Sequence, residues 1–191
     1  MVPDTSARGL LITISGPAGS GKSHCAMALA KYLSFPHYSA GSIFRNLATE
    51  RGLSLEALAE LAEGDASIDR AIDSRSQELA EKGGAILEGR MVAFFSSTQA
   101  LKLSFYLTAS FEERIRRIAE REGISIIDAK AKTLAREESE NRRYREFYGL
   151  DPHDLSQYDF VINTHLWDKE GIVALLKGII KTYLKQVSRK I

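Results

Sequence analysis

The sequence predicts an α/β fold, a five-stranded parallel sheet with helices on both faces. Strand-like and helix-like segments alternate along the chain, the pattern of a parallel sheet covered by crossover helices. Near its start, the β-branched run Leu11-Ile12-Thr13-Ile14 leads through a glycine loop into a helical stretch with Ala26, Leu29, Ala30 and Leu33 on one face. A length of 191 residues, 44% apolar and 27% charged, is enough for one such domain spanning 1–191.

The strands are expected at Leu11–Ser15, Pro36–Ser39, Ala85–Glu88, Lys102–Leu107 and Tyr158–Asn163. A first helix covers Lys22–Leu33. Between the second and third strands, Gly52, Gly64 and Gly83-Gly84 divide a helical stretch into two or three short helices. Ser110-Phe111-Glu112-Glu113 has the form of a capping box and opens the next helix. Ser125 starts a long helix, and Gly149 ends it ahead of Asp151-Pro152. The last helix begins near Asp168, with Ile172, Leu176, Ile179, Ile180, Tyr183 and Val187 as the stripe that meets the sheet.

Composition narrows the function. A net charge of +1, from 26 basic and 25 acidic residues, gives no general pull toward nucleic acid or acidic membranes. The single cysteine, Cys25, allows no internal disulfide and fits no zinc spacing. Met1 to Gly9 is polar, without the apolar core of a secretory signal, and no run approaches a membrane span. A cytoplasmic location is the expectation.

The glycine loop carries the chemistry. Gly16-Pro17-Ala18-Gly19-Ser20-Gly21-Lys22-Ser23 fits G-x-x-x-x-G-K-[ST], between a strand and a helix as that motif requires. A helix N-terminus offers unpaired N–H groups and a positive dipole end, and glycines let the backbone wrap phosphate oxygens. Lys22 is expected to reach the β- and γ-phosphates of a nucleoside triphosphate, and the Ser23 hydroxyl to ligate Mg²⁺. The motif specifies a triphosphate, not its fate.

Ligands of open parallel sheets bind at the carboxyl ends of the strands. That rule selects Ser39-Ala40-Gly41, Glu88-Gly89-Arg90 and Asn163-Thr164-His165 as neighbours of the loop. Eight of the 15 arginines lie between Arg114 and Arg145, where only Lys130 and Lys132 are lysines. Arginine is the better bidentate phosphate ligand. On the long helix Arg136, Glu140 and Arg143 share one face, and Arg117 and Arg121 lie one turn apart on the helix before it. A solvated helix surface with pairs such as Glu113–Arg117 explains the same spacing. Arg45 and Arg90 sit at the binding rim, while Arg75 falls on an apolar face and either snorkels or joins them in a cleft. Two facing polyphosphates demand several cations, which favours phosphoryl transfer between nucleotides over a simple switch.

At these residues the chain resembles nucleoside monophosphate kinases, which have adenylate-kinase-like P-loop folds, and most closely the archaeal-type cytidylate kinases. The likeness runs from about Leu10 to the last helix. Tyr38-Ser39-Ala40-Gly41-Ser42-Ile43-Phe44-Arg45 is similar to the acceptor segment of that family, and Leu87-Glu88-Gly89-Arg90 to its strand-three signature. The resemblance implies that Ser39, Gly41, Arg45, Gly89, Arg90 and Glu140 face the acceptor; the helix spacing adds Arg75 to that set if it enters the cleft. It implies that Glu88 orients Mg²⁺ through water and that Arg121 joins the ATP site. Arg117-Ile118-Ala119-Glu120-Arg121 resembles the opening of an adenylate kinase lid, and Arg136 to Arg143 a cytidylate kinase lid run. By that likeness Lys22, Arg90, Arg117, Arg136 and Arg143 act on the phosphates, residues 41–83 form the acceptor-binding helices, and 117–148 form the lid.

Met91 stands where bacterial cytidylate kinases carry Asp, and their large acceptor-domain insert is absent. The expected activity is transfer of the γ-phosphate of ATP-Mg to CMP, or dCMP, by a monomer that binds neither nucleic acid nor membrane. A kinase for another monophosphate or a small metabolite, and a nucleotide-binding switch without transfer, remain open alternatives.

Overall fold

The structure, a computed structural model, describes residues 9–94 and 101–189, so most of the polar N-terminal stretch lies outside it. Its strands are β1 (Leu11–Ser15), β2 (His37–Ser39), β3 (Ala85–Glu88), β4 (Lys102–Thr108) and β5 (Phe160–Asn163). They form one parallel sheet in the order β2-β3-β1-β4-β5. The central strand β1 is buried along its whole length, which is why it reads as an unbroken apolar run rather than an alternating one.

The helices are α1 (Lys22–Leu33), α2 (Ala40–Glu50), α3 (Leu55–Gly64), α4 (Ala66–Glu81), α5 (Phe111–Glu122), α6 (Ile126–Tyr148) and α7 (Lys169–Ser188). On one face of the sheet, Cys25, Ala26 and Leu29 of α1 and Ile172, Leu176 and Ile180 of α7 pack on Ile12, Ile14, Leu103 and Phe105. On the other, Leu79 of α4 meets Leu11, Ala85 and Leu87. The expected stripe on α7 turns slightly, because Val173 and Leu184 are buried while Ile179 and Tyr183 are only partly so. Helices α2 to α4 gather around Ala48, Leu58, Ala62, Ile68 and Ile72, a core separate from the sheet. Helices α5 and α6 have their own, Ile115, Ile118, Ala119 and Ala129, with Ala18 of the glycine loop against it.

Boundaries shift slightly from expectation. Strand β2 begins at His37 rather than Pro36, although the Pro36 carbonyl still accepts from Ile86 N at 2.9 Å. Strand β5 begins at Phe160 rather than Tyr158; just before it, Asp159 N still donates to the Ser104 carbonyl at 3.0 Å, and the Asp159 carboxylate takes the backbone N–H and hydroxyl of Ser104 at 2.7 and 2.6 Å. At α5, Ser110 caps Glu113 N at 3.3 Å, but the Glu113 carboxylate turns to Arg116 and Arg117 instead of closing a capping box. No helix of the described residues is long and apolar enough to cross a membrane.

Candidate active site

The loop from Gly16 to Ser23 wraps the N-terminus of α1, with Gly21 as its N-cap in the left-handed region. Two of its glycines are required by geometry. Gly16 has φ +139°, and a Cβ there would lie 2.1 Å from the Leu107 carbonyl oxygen; Gly19 has φ +79°, and a Cβ there would lie 2.6 Å from that of Arg114. The loop is therefore pressed against β4 and α5, its backbone fixed by its neighbours.

Ser23 and Glu88 meet directly, the hydroxyl donating to Oε1 at 2.6 Å. His37 Nε2 lies 3.1 Å from the other carboxylate oxygen. Burial opposes ionisation of Glu88, but the hydrogen bonds from His37 and Ser23 and the charge of Lys22 outweigh it, holding the carboxyl below its usual value. Lys22 Nζ donates to the Pro17 carbonyl at 2.8 Å. Burial lowers its pKa to about 8, partly offset by Glu88.

Gly89 N bonds the Ile14 carbonyl at 3.2 Å and Gly16 N the Arg90 carbonyl at 3.3 Å, so the ends of β1 and β3 form one rim. The Arg90 side chain crosses to α6, with Nη1 3.1 Å from Glu137 and Nη2 3.2 Å from Asn141 Oδ1. Glu140 lies 3.8 Å from Arg90 Nε and 2.8 Å from Arg136 Nε. Arg114 reaches the same Glu137 carboxylate at 2.6 Å and the Ala18 carbonyl at 3.0 Å. Its guanidinium also lies over the Phe111 ring, 5.2 Å from the centroid.

The expected site residues divide. Lys22, Ser23, Glu88, Gly89, Arg90, Arg136 and Glu140 come together around the loop and α6. Ser39 caps α2, accepting from Ser42 N at 3.0 Å, and Gly41 lies in that helix's first turn. The Arg45 guanidinium folds back beside Gly41 and has no ion-pair partner among the described residues. Arg117 ties the loop to the turn after β5, reaching Gly19 O at 3.3 Å and Thr164 Oγ1 at 2.9 Å, besides its expected pair with Glu113.

Three placements depart from expectation. Arg75 does not enter the cleft: it is exposed and pairs with Glu78 at 3.1 Å, while the face of α4 that meets α6 carries Asp69 and Asp73. Arg121 is exposed and pairs with its neighbour Glu122 at 2.7 Å, away from the loop. Arg143 parts from Arg136 and Glu140, turning to Asp69 at 2.9 Å and Glu63 at 3.3 Å. A helix rises about 1.5 Å per residue, so i and i+7 share a face but stand about 10 Å apart along the axis, and the ends of the set meet different partners.

Arg114, Glu137, Asn141 and His37 were not singled out by sequence. Arg114 lies one turn before Arg117, and its nearly complete burial is invisible in a helix so rich in charge. At the far end of α6 the Tyr148 hydroxyl donates to Asp73. Burial pushes Asp73 up to about 7. Burial also raises the Tyr144 hydroxyl well above its usual value, with Glu140, Asp73 and Asp69 adding to it.

The sheet order and the strand–loop–helix unit make this a P-loop kinase fold. The shikimate kinase of Acinetobacter baumannii shares it with a TM-score of 0.64 at 16% identity, covering 94% of this chain and 98% of that one. A sequence model places the chain more closely, matching residues 11–166, and the protein belongs to the cytidylate kinase-like family. It is 40% identical to the cytidylate kinase of Methanopyrus kandleri over 93% of this chain and 96% of that relative. To the cytidylate kinase of Staphylothermus marinus it is 43% identical over 93% and 99%.

Proposed function

We propose that the protein is a nucleoside monophosphate kinase that transfers the γ-phosphate of ATP to CMP or dCMP. The observation that carries this reading is the meeting of a triphosphate loop with an acceptor-side rim: Ser23 bonds Glu88, and Gly16 bonds the backbone of Arg90. Family membership supports CMP as the acceptor.

In this reading an acceptor phosphate oxygen attacks the γ-phosphorus. A new P–O bond forms, the bond to the β–γ bridging oxygen breaks, and ADP leaves. The attacking oxygen is already ionised at neutral pH, so no general base is nominated. The loop amides and Lys22 hold the donor phosphates, Arg90 and Arg45 the acceptor, and Arg136 the charge between them. Ser23 and Glu88 form a hard oxygen pair that fits Mg²⁺. Among the described residues no group of three or more His, Cys, Asp or Glu could hold a metal, which suits an ion held largely by water and phosphate. When bound, Mg²⁺ would neutralise charge on the phosphates.

Residues 41–83, nearly all of helices α2 to α4, form the acceptor cover, and the segment 117–148 contains the lid. Because Arg117 is tied to Gly19 and Thr164, we place the moving part beyond α5, hinged at its C-cap Gly123. The enzyme acts as a monomer in the cytoplasm, a reducing compartment that suits the single free thiol of Cys25.

A coupled ADP assay across CMP, dCMP, UMP, AMP and GMP tests this. CMP or dCMP is expected to give the highest kcat/KM. No stimulation above the ATP-only rate by any of them defeats the reading.

A further inference from the structure

We infer that Glu137 is a positioning residue for transfer: through it, α6 orients the Arg90 guanidinium and seats Arg114 against the phosphate loop. The inference rests on the kinase reading above.

Two guanidiniums from different elements converge on this one carboxylate. Arg90 Nη1 lies 3.1 Å from Oε1, Arg114 Nη1 2.6 Å from the same oxygen, and Arg114 Nη2 3.4 Å from Oε2. The side chains are only 14%, 9% and 16% exposed for Arg90, Arg114 and Glu137, so water screens little of their mutual repulsion. Without an anion between them the two cations would part. Burial disfavours a charged Glu137, yet Arg114 and Arg90 hold its carboxyl below the usual value.

The two arginines lead to the donor site by separate routes. Arg114 bonds the Ala18 carbonyl at 3.0 Å, and its backbone fills the space a Cβ on Gly19 would need. Arg90 accepts from Gly16 N through its own carbonyl at 3.3 Å. All the side-chain partners of Arg90 shown here, Glu137, Glu140 and Asn141, lie on α6 at i, i+3 and i+4. The direction of Arg90 is thus set by where α6 sits. When α6 covers the loop, the cation that receives the acceptor is aimed; when α6 moves off, it loses its tethers. Transfer and exclusion of water are thereby linked to one helix position.

A carboxylate that merely stabilises the fold makes a different prediction, and the test separates the two. Glu137→Gln keeps the shape and removes the charge. We expect kcat for CMP-dependent transfer to fall about 100-fold, as for a misplaced reacting group, with the KM for ATP little changed. The ratio of acceptor-free ATP hydrolysis to transfer should rise. A normal kcat, or hydrolysis and transfer falling in proportion to the folded fraction seen by thermal melting, overturns the inference. If this variant does not fold, Asn141→Ala removes one neutral tether of Arg90. It should lower kcat about tenfold, the effect of one lost charge-assisted hydrogen bond, again at unchanged KM for ATP; an unchanged kcat overturns the inference. An active wild type with unaffected variants defeats only this inference, whereas a wild type inactive with every monophosphate defeats the kinase reading and this with it.

Discussion

The Ser23 hydroxyl donates to Glu88 Oε1 at 2.6 Å, joining the last residue of the phosphate loop to the last residue of β3. In the proposed reaction this pair faces Mg²⁺, Ser23 directly and Glu88 through water. Glu88→Gln keeps the shape and loses the charge. It should raise the Mg²⁺ concentration for half-maximal rate by about 10- to 100-fold, the usual cost of losing an outer partner of a metal. A Mg²⁺ titration of the initial rate measures it, and an unshifted midpoint removes Glu88 from the metal site.

Lys22 should carry much of the charge stabilisation at the donor. Lys22→Ala is expected to lower kcat by about 100- to 1,000-fold with an unchanged melting temperature; a normal kcat refutes the assignment of the loop. Burial has brought its ammonium down to about 8, so the charged form disappears as pH rises through that value. The kcat/KM for ATP, which reports the free enzyme, should therefore decline above about pH 8. In Lys22→Ala that step should be missing.

Arg45 stands apart from the other cleft arginines because it has no ion-pair partner among the described residues. It is available to an acceptor phosphate without first releasing a carboxylate. Arg45→Ala should raise the KM for CMP by about tenfold or more, since a charge-assisted bond is worth roughly 1.5–3 kcal/mol. ATP binding, followed by calorimetry, should be unaffected. Equal loss of both would make Arg45 a general electrostatic contributor.

Asp73 makes stability depend on pH. Burial, reinforced by Asp69, holds its carboxyl up to about 7 despite the Tyr148 hydroxyl, which acts in the opposite direction. The unfolded chain releases this proton near about 3.9. Between those values the folded state binds more protons, so this group's contribution falls as pH rises. Asp73→Asn removes it, so the variant should gain on the wild type in denaturant midpoint from about pH 4 to 7. A difference independent of pH refutes the raised value.

Where a feature is local, the sequence was enough. The run Leu11–Ser15, the loop and α1 are contiguous, and each signals its own conformation. The position of Glu88 and Arg90 beside the loop follows from the rule that ligands meet strand ends, which needs only the strands. His37 beside Glu88 depends on β2 lying next to β3, and sheet order is not written in any one segment. Glu137 depends on three elements converging, and on α6 it looks like any solvated glutamate. Arg75 misled because it borders the apolar face of Ile68, Ile72 and Leu79, while Ser76 takes the buried place there.

Most of the arginines that line the cleft already have carboxylate partners: Glu137 for Arg90 and Arg114, Glu140 for Arg136, Asp69 and Glu63 for Arg143. The protein in effect carries its own counter-ions. An arriving phosphate therefore meets guanidinium charge that is already partly balanced rather than an unopposed field. Added salt weakens the old pairs as well as the new ones. Nucleotide affinity in this protein should thus vary with ionic strength more gently than its wealth of guanidinium groups implies.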